Sequence, residues 1–180
     1  LTGTAVLIDN NNSTLATNLI LGLIFAFAVI ALVVGIMFRS LKIAILSLVP
    51  NVLPLLLLTT VMWITGIDLK ISTSLIFTLA FGIAVDDTIH FLARFRQEYS
   101  RTNNINKSIK NTLFTTGKAI ISTTMVLSLG FAVLYFSELM PNHEFGILAT
   151  IILIAALFGS ILLLPALLVL FKPKINIGKE

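Results

Sequence analysis

The sequence contains no cysteine and only two histidines among its 180 residues. The lack of cysteine excludes disulfide frameworks, thiolate metal sites and cysteine nucleophiles, and two histidines argue against a dedicated metal site. The sequence shows no nucleophile paired with a base, no metal-binding cluster and no phosphate-binding loop. We therefore predict that the chain is not an enzyme and that it holds no metal ion and no cofactor.

Charged residues are scarce, at 11%, whereas hydrophobic residues make up 57% of the chain. The mean hydropathy of +1.05 lies well outside the range of soluble domains. This composition predicts an all-α integral membrane protein that is embedded in a lipid bilayer. Apolar runs of about 20 residues indicate five membrane-spanning helices, which we place at residues 19–38, 43–64, 71–91, 119–136 and 145–170.

The basic residues predict the orientation of these spans. Eleven of the twelve lysines and arginines fall in the connections on one side, and Lys70 alone falls on the other. Because cytoplasmic loops are enriched in basic residues, we expect an external N-terminus and a cytoplasmic C-terminus. The same pattern predicts a multi-pass membrane protein. It also explains the net charge of +4 without any nucleic-acid partner.

The longest of the basic connections covers residues 92–118, which we predict to be a cytoplasmic loop. Within it Ile105, Ile109 and Leu113 recur at intervals of four residues. This spacing fits a short amphipathic helix on the inner leaflet of the membrane. A solvated basic loop that only enforces the topology is an equally good interpretation.

The ends of the chain are polar. Residues 1–17 carry no initiating methionine and no signal-like apolar segment, although the predicted orientation puts them outside. We expect them to be the tail of an external domain in a longer protein, with residues 18–171 as the transmembrane domain and residues 172–180 as a cytoplasmic tail.

Two adjacent acids, Asp86 and Asp87, lie within the third apolar run. A carboxylate at the centre of a membrane helix costs roughly 2.5–3.5 kcal/mol to insert, so such residues usually mark ion pathways. His90 follows Asp86 by four residues and Asp87 by three, which places it on the face between them. We predict that the acids form a coupled proton relay, rather than being merely neutralised by a basic residue elsewhere. His90 could serve either as a further relay group or only as a partner of the acids.

Two other features interrupt the apolar runs. Ser122, Thr123 and Thr124 give the fourth span a polar stripe that could support the relay, although such hydroxyls often bond back to their own helix. Pro50 and Pro54 interrupt the second span, where they indicate either a hinge or an ordinary kink.

The residues around the acids resemble the fourth or tenth membrane helix of the resistance-nodulation-division (RND) transporter superfamily, in its MmpL-like and predicted-exporter branches. The resemblance covers nearly the whole chain and rests on segments in the same order and spacing as in that superfamily: Leu48-Val49-Pro50-Asn51-Val52-Leu53-Pro54, Phe81 to Arg96, Thr116-Gly117-Lys118-Ala119-Ile120 and Leu164-Pro165-Ala166-Leu167.

The resemblance implies that the five spans are helices two to six of one six-helix RND repeat, in a transporter of the bacterial inner membrane. We expect the C-terminal repeat, because residues 172–180 contain no further apolar span. Asp86 and Asp87 then occupy the positions of the superfamily's proton-relay acids. The implied function is export of a lipid, drug or other amphipathic molecule, driven by the proton gradient. Implied partners are the remaining half of the transporter and either further subunits or a periplasmic adaptor. Many MmpL-like members have Asp-Tyr where this sequence has Asp86-Asp87, which leaves the subfamily and the substrate open.

Three other interpretations remain. A protein-translocase subunit of the SecD/SecF type shares the repeat and an acidic motif, but the residues after His90 match the exporters better. A sterol-sensing or lipid-receptor domain has the same five-helix unit and would not need a titrating acid pair. A purely structural subunit would not need two acids within a membrane helix.

Overall fold

The computed structural model describes residues 4–171, with the side chains of residues 14–70 and 72–171. The described chain is almost entirely helical, and its α-helices are α1 (Thr4–Phe38), α2 (Leu41–Thr65), α3 (Ile71–Thr102), α4 (Ile105–Thr112), α5 (Lys118–Ala132), α6 (Met140–Phe158) and α7 (Leu164–Phe171). Helices α4 and α5 are joined by a π-helical turn, Leu113–Gly117, and α6 and α7 by another, Gly159–Leu163. A 3₁₀ turn, Val133–Phe136, follows α5.

These elements form five rods that are long and apolar enough to cross a membrane, as predicted from the sequence. The rods comprise Thr14–Phe38, Leu41–Thr65, Ser72–Thr102, Ile105–Phe136 and Met140–Phe171. A helix satisfies its own backbone hydrogen bonds, which is why apolar segments of this length adopt it in lipid. The chain is an all-α multi-pass membrane protein.

The connection at residues 92–118, which we predicted as a loop that could contain a short amphipathic helix, is nearly all helical. Helix α3 continues to Thr102, and α4 begins only two residues later at Ile105. Asn103 ends α3 in the left-handed conformation, with a φ of 47°, and the side chain of Asn104 accepts a hydrogen bond from the Lys107 backbone at 3.2 Å. A run of charged residues ended the apolar segment in the sequence, but the helical periodicity continues beyond it: the apolar side chains of Phe91, Leu92 and Phe95 are all fully buried.

The segment with Ile105, Ile109 and Leu113 is a helix, but its surroundings differ from both predicted alternatives. Ile109 is buried, and Ile105 and Leu113 pack against the protein core. Helix α4 contacts α3 and α7 and leads directly into the fourth span. Its apolar side therefore faces the protein rather than the surface of a leaflet.

The rods differ in how deeply they are packed. In α2, in α3 and in the α6–α7 rod, half of the residues in an 18-residue apolar stretch are buried. In α1 and in the α4–α5 rod the corresponding share is 11%. The largest fully buried side chains come mostly from the first group of rods and include Leu58, Ile76, Phe91, Leu92, Phe95, Leu148, Ile152 and Leu164. Helices α2, α3 and α6 thus form the centre, with α1 packed on α2 and α5 packed on α6.

Glycine permits one close approach at this centre. A Cβ atom on Gly159 would lie 2.9 Å from the carbonyl oxygen of Pro50, a distance that side chains do not tolerate. Small residues commonly bring membrane helices together in this way. The contact places the π-helical turn between α6 and α7 directly against the proline-containing part of α2.

A candidate proton site on the third membrane helix

Helix α3 carries both predicted acids near its midpoint but gives them opposite environments. Successive residues of a helix point about 100° apart, so the side chains of Asp86 and Asp87 leave α3 in different directions. The side chain of Asp86 is 69% exposed in the described chain. Asp87 is only 6% exposed. The two carboxyl groups therefore differ in access, although they are adjacent in the sequence.

The structure pairs His90 with Asp86. The distance from His90 Nε2 to Asp86 Oδ1 is 3.3 Å, one turn along the same face of α3, and the His90 side chain is 68% exposed. Gly82 and Asp86 are four residues apart, as are Asp86 and His90, so the three residues form one stripe on the helix. We call the stripe of Gly82, Asp86 and His90 the open side of α3.

Asp87 lies on the other side of the helix, which we call the packed side. Its Oδ2 atom is inaccessible and has no hydrogen-bond partner among the described residues. A charged carboxylate that is buried without partners costs far more free energy than a neutral carboxyl group. This arrangement suits a group that binds and releases a proton. Within residues 14–70 and 72–171, no three histidine, cysteine or acidic side chains cluster as metal ligands.

Both acids border a groove between α3 and the α4–α5 rod. The groove forms because α4 packs on α3, whereas α5 packs mainly on α6. Its volume is about 610 Å³, and it is lined by Asp86, Asp87, His90, Arg94, Thr115, Thr116, Ala119, Ile120 and Thr123. One groove, most of whose lining residues are polar, therefore reaches the exposed and the buried acid together.

The three predicted supporting residues on α5 separate in the structure. Thr123 lines the groove, and its hydroxyl donates back to its own helix, to Ala119 O at 3.1 Å and Ile120 O at 3.0 Å. Ser122 is exposed and Thr124 is buried, and neither borders this groove. The polar stripe in the sequence thus brings only its middle member to the acids.

A second polar cluster, which was not predicted from the sequence, lies about two turns beyond Asp87 on α3. Arg94 Nη2 forms an ion pair of 2.8 Å with Glu98 Oε1, and Arg94 Nη1 donates to Gln97 Oε1 at 2.7 Å. Asn111 Nδ2 donates to the other oxygen of Glu98 at 3.0 Å. Glu98 is 6% exposed, so the cluster neutralises a buried charge. The four-residue spacing of Arg94 and Glu98 could have revealed it, had the segment been interpreted as helix.

A contact between Asn51 on α2 and Thr88 on α3, beside Asp87, was also not predicted from the sequence. Thr88 Oγ1 lies 2.9 Å from Asn51 Oδ1, and both side chains are fully buried. Asn51 Nδ2 donates to Ser47 O at 3.0 Å. The sequence gives no local sign of this contact, because Asn51 and Thr88 lie 37 residues apart.

Comparison with known proteins identifies the family. Residues 1–177 match the MMPL family. The chain is 27% identical, over 78% of its length, to MJ1562 of Methanocaldococcus jannaschii, and 28% identical, over 59% of its length, to ActII-3 of Streptomyces coelicolor. The names of both relatives describe them as membrane proteins, and the matched regions span 36% and 15% of their respective lengths. The chain therefore belongs to the MMPL family, within the RND superfamily of membrane transporters.

Proposed function

We propose that this chain is the proton-coupling part of an exporter that uses the proton gradient to move a lipid, drug or other amphipathic molecule. The observation that carries the proposal is the buried Asp87, whose Oδ2 atom has no partner among the described residues and whose side chain borders a polar groove. Its membership of a transporter family supports the same conclusion.

The energetics favour proton binding as the driving step. One proton moving through a membrane potential of 100 mV releases about 2.3 kcal/mol. That amount shifts a two-state equilibrium by roughly fiftyfold. A proton on Asp87 removes the cost of burying its charge, so the protonated and deprotonated proteins favour different packing around α3.

The groove suggests an order for the proton-binding groups. Asp86 and His90, on the open side, receive the proton and pass it to Asp87. Arg94 borders the same groove, but its charge is already balanced by Glu98. We therefore assign Arg94 to holding the end of the groove rather than to neutralising the acids. Thr123 supports the groove wall.

The open side also indicates a partner. An Asp-His pair on a membrane-spanning helix is unfavourable against lipid, because lipid offers it no hydrogen bonds. We propose that the other half of the transporter covers this side, in the bacterial inner membrane, and that substrate, further subunits or a periplasmic adaptor bind elsewhere on the whole protein.

The test is transport by the intact protein in liposomes under an imposed proton gradient. The probes are ethidium, as a cationic drug, and a fluorescent phosphatidylethanolamine. We expect Asp87→Asn to reduce the transport rate by about a hundredfold, which is the lower end of the usual loss when a proton-transfer group is removed. Asp68→Asn is the matched control, because Asp68 is an exposed acid outside the helices. If Asp87→Asn transported the probes at the wild-type rate, the proposal would be contradicted.

One observation favours a second candidate, a domain that binds lipid without pumping it. An apolar groove of about 360 Å³ lies between α1, α2 and α3, lined in part by Leu19, Leu23, Leu55, Met62 and Phe77. A lipid receptor would bind the fluorescent lipid in this groove and show no proton-driven flux. Binding that is weakened by Leu23→Trp, together with no flux of either probe, would favour this candidate.

A further inference from the structure

The contact between Asn51 and Thr88 joins α2 to the part of α3 that carries the buried acid. Thr88 directly follows Asp87, and its hydroxyl oxygen lies 2.9 Å from Asn51 Oδ1. Both side chains are fully buried. Breaking this bond would take a donor away from the buried Asn51 Oδ1 atom where water is scarce, so the pair holds α2 and α3 together at this level.

The Thr88 hydroxyl has two acceptors at the same distance. Its oxygen is 2.9 Å from Asn51 Oδ1 and also 2.9 Å from Ala84 O, one turn back on α3. A hydroxyl carries a single proton, so a full hydrogen bond can form with only one of them at a time. Donation to Asn51 connects the helices, whereas donation to Ala84 stays within α3. The contact therefore has two bonding states.

Asn51 stands where α2 bends most easily. Pro50 and Pro54 both lie inside α2, and neither has the N–H group that would continue the helical ladder. The carbonyl oxygens of Leu46 and Pro50 therefore lack their usual helical donors. Such a gap lets a membrane helix bend, and here the gap surrounds the residue that binds α3.

A third helix rests on the same point. Gly159 begins the π-helical turn between α6 and α7 and packs on the Pro50 carbonyl so closely that a Cβ atom would lie 2.9 Å from its oxygen. Any bend of α2 at Pro50 must therefore move or separate this contact. Three segments thus meet at one place: the part of α3 with Asp87 and Thr88, the part of α2 with Pro50 and Asn51, and the π-helical turn that begins at Gly159.

We propose that Asn51 and Thr88 couple the proton on Asp87 to the bending of α2. In one state Thr88 donates to Asn51 and α2 is held against α3; in the other Thr88 donates to Ala84 and α2 bends between Pro50 and Pro54. Both are positioning residues, because neither carries the transported proton. This mechanism rests on the proposed function, since it assumes that Asp87 changes its protonation during transport.

The first test separates coupling from folding by using a matched set of threonine variants. Thr88→Val keeps the shape and removes the hydroxyl, and Thr88→Ser restores the hydroxyl. Thr78→Val is the control on the same helix, because the Thr78 hydroxyl bonds back to Ser74 O. With the intact protein in liposomes, both proton entry and ethidium transport are measured.

We expect Thr88→Val to lower the amount of ethidium moved per proton by roughly three- to tenfold, as for the loss of one bond between membrane helices. Thr88→Ser and Thr78→Val should keep the wild-type ratio. A wild-type ratio in Thr88→Val would overturn the mechanism. A structural role alone would lower both fluxes together and leave their ratio unchanged.

The second test does not depend on transport. Trp63→Cys on α2 and Leu75→Cys on α3 are introduced at exposed positions of the intact protein, from which any other cysteine has been removed. Both cysteines are spin-labelled, and the distance between the labels is measured. Asp87→Asn, which mimics the protonated acid, should change this distance, and Thr88→Val should abolish the change. A change that persists in Thr88→Val, or no change with Asp87→Asn, would contradict the mechanism. A Thr88-dependent change without proton-driven flux would instead refute the proposed function alone.

Discussion

The two sides of α3 place two identical side chains in opposite conditions. On the open side Asp86 is 69% exposed and pairs with His90, whereas on the packed side Asp87 is 6% exposed and its Oδ2 atom lacks a partner among the described residues. The packed side also carries the bond to Asn51. The difference shows that adjacent positions of a helix can lie in opposite environments: one carboxyl group is open, and the other is enclosed by the packing of the bundle.

The largest expected difference between the two sides is in transport. Asp86→Asn should lower proton-driven ethidium transport by about tenfold, against about a hundredfold for Asp87→Asn, because an exposed relay group can be bypassed by water more easily than a buried one. The measurement is the initial rate in liposomes at one fixed gradient. Equal losses in the two variants would mean that the sides do not differ in function.

A smaller effect is expected at the far end of α3, where Arg94 binds one buried and one exposed acceptor. Glu98→Ala should lower the free energy of unfolding by about 3 kcal/mol, since it leaves the arginine without its buried counter-ion. Gln97→Ala removes an exposed acceptor of the same arginine and should cost under about 1 kcal/mol. Denaturation in detergent micelles measures both. Similar losses in the two variants would show that Gln97 is also buried in the intact protein.

The smallest expected difference concerns a glycine that packs on α2 and a glycine on the open side of α3. Gly159→Ala should destabilise the protein by about 2 kcal/mol, because its Cβ would overlap the Pro50 carbonyl. In Gly82→Ala the new Cβ would have no atom of the described residues within 4 Å apart from its own stretch of helix, so the change should stabilise α3 by up to about 1 kcal/mol. The same denaturation assay applies. A loss in Gly82→Ala as large as that in Gly159→Ala would contradict the difference in packing between the two positions.

Some features of the fold could be predicted because they depend on local composition. Five apolar runs predicted five spans, and the structure has five rods of sufficient length. The end of the third helix was not predicted, because the average hydropathy falls in the basic segment after Phe91. One face of the helix nevertheless stays apolar there, and Phe91, Leu92 and Phe95 are fully buried. A loop was therefore predicted where α3 and α4 continue. The orientation in the membrane and the proton relay stay predictions.

The sequence by itself determined that the chain spans a membrane five times, that two acids interrupt the third span, and that His90 stands one turn from Asp86. These properties follow from apolar content and helical periodicity, which act over a few residues. Only the tertiary structure decided which acid is buried, that Thr123 rather than Ser122 or Thr124 borders the groove, and that Asn51 meets Thr88. Each of these depends on which helix faces which, because residues 37 positions apart in the chain come together only through packing.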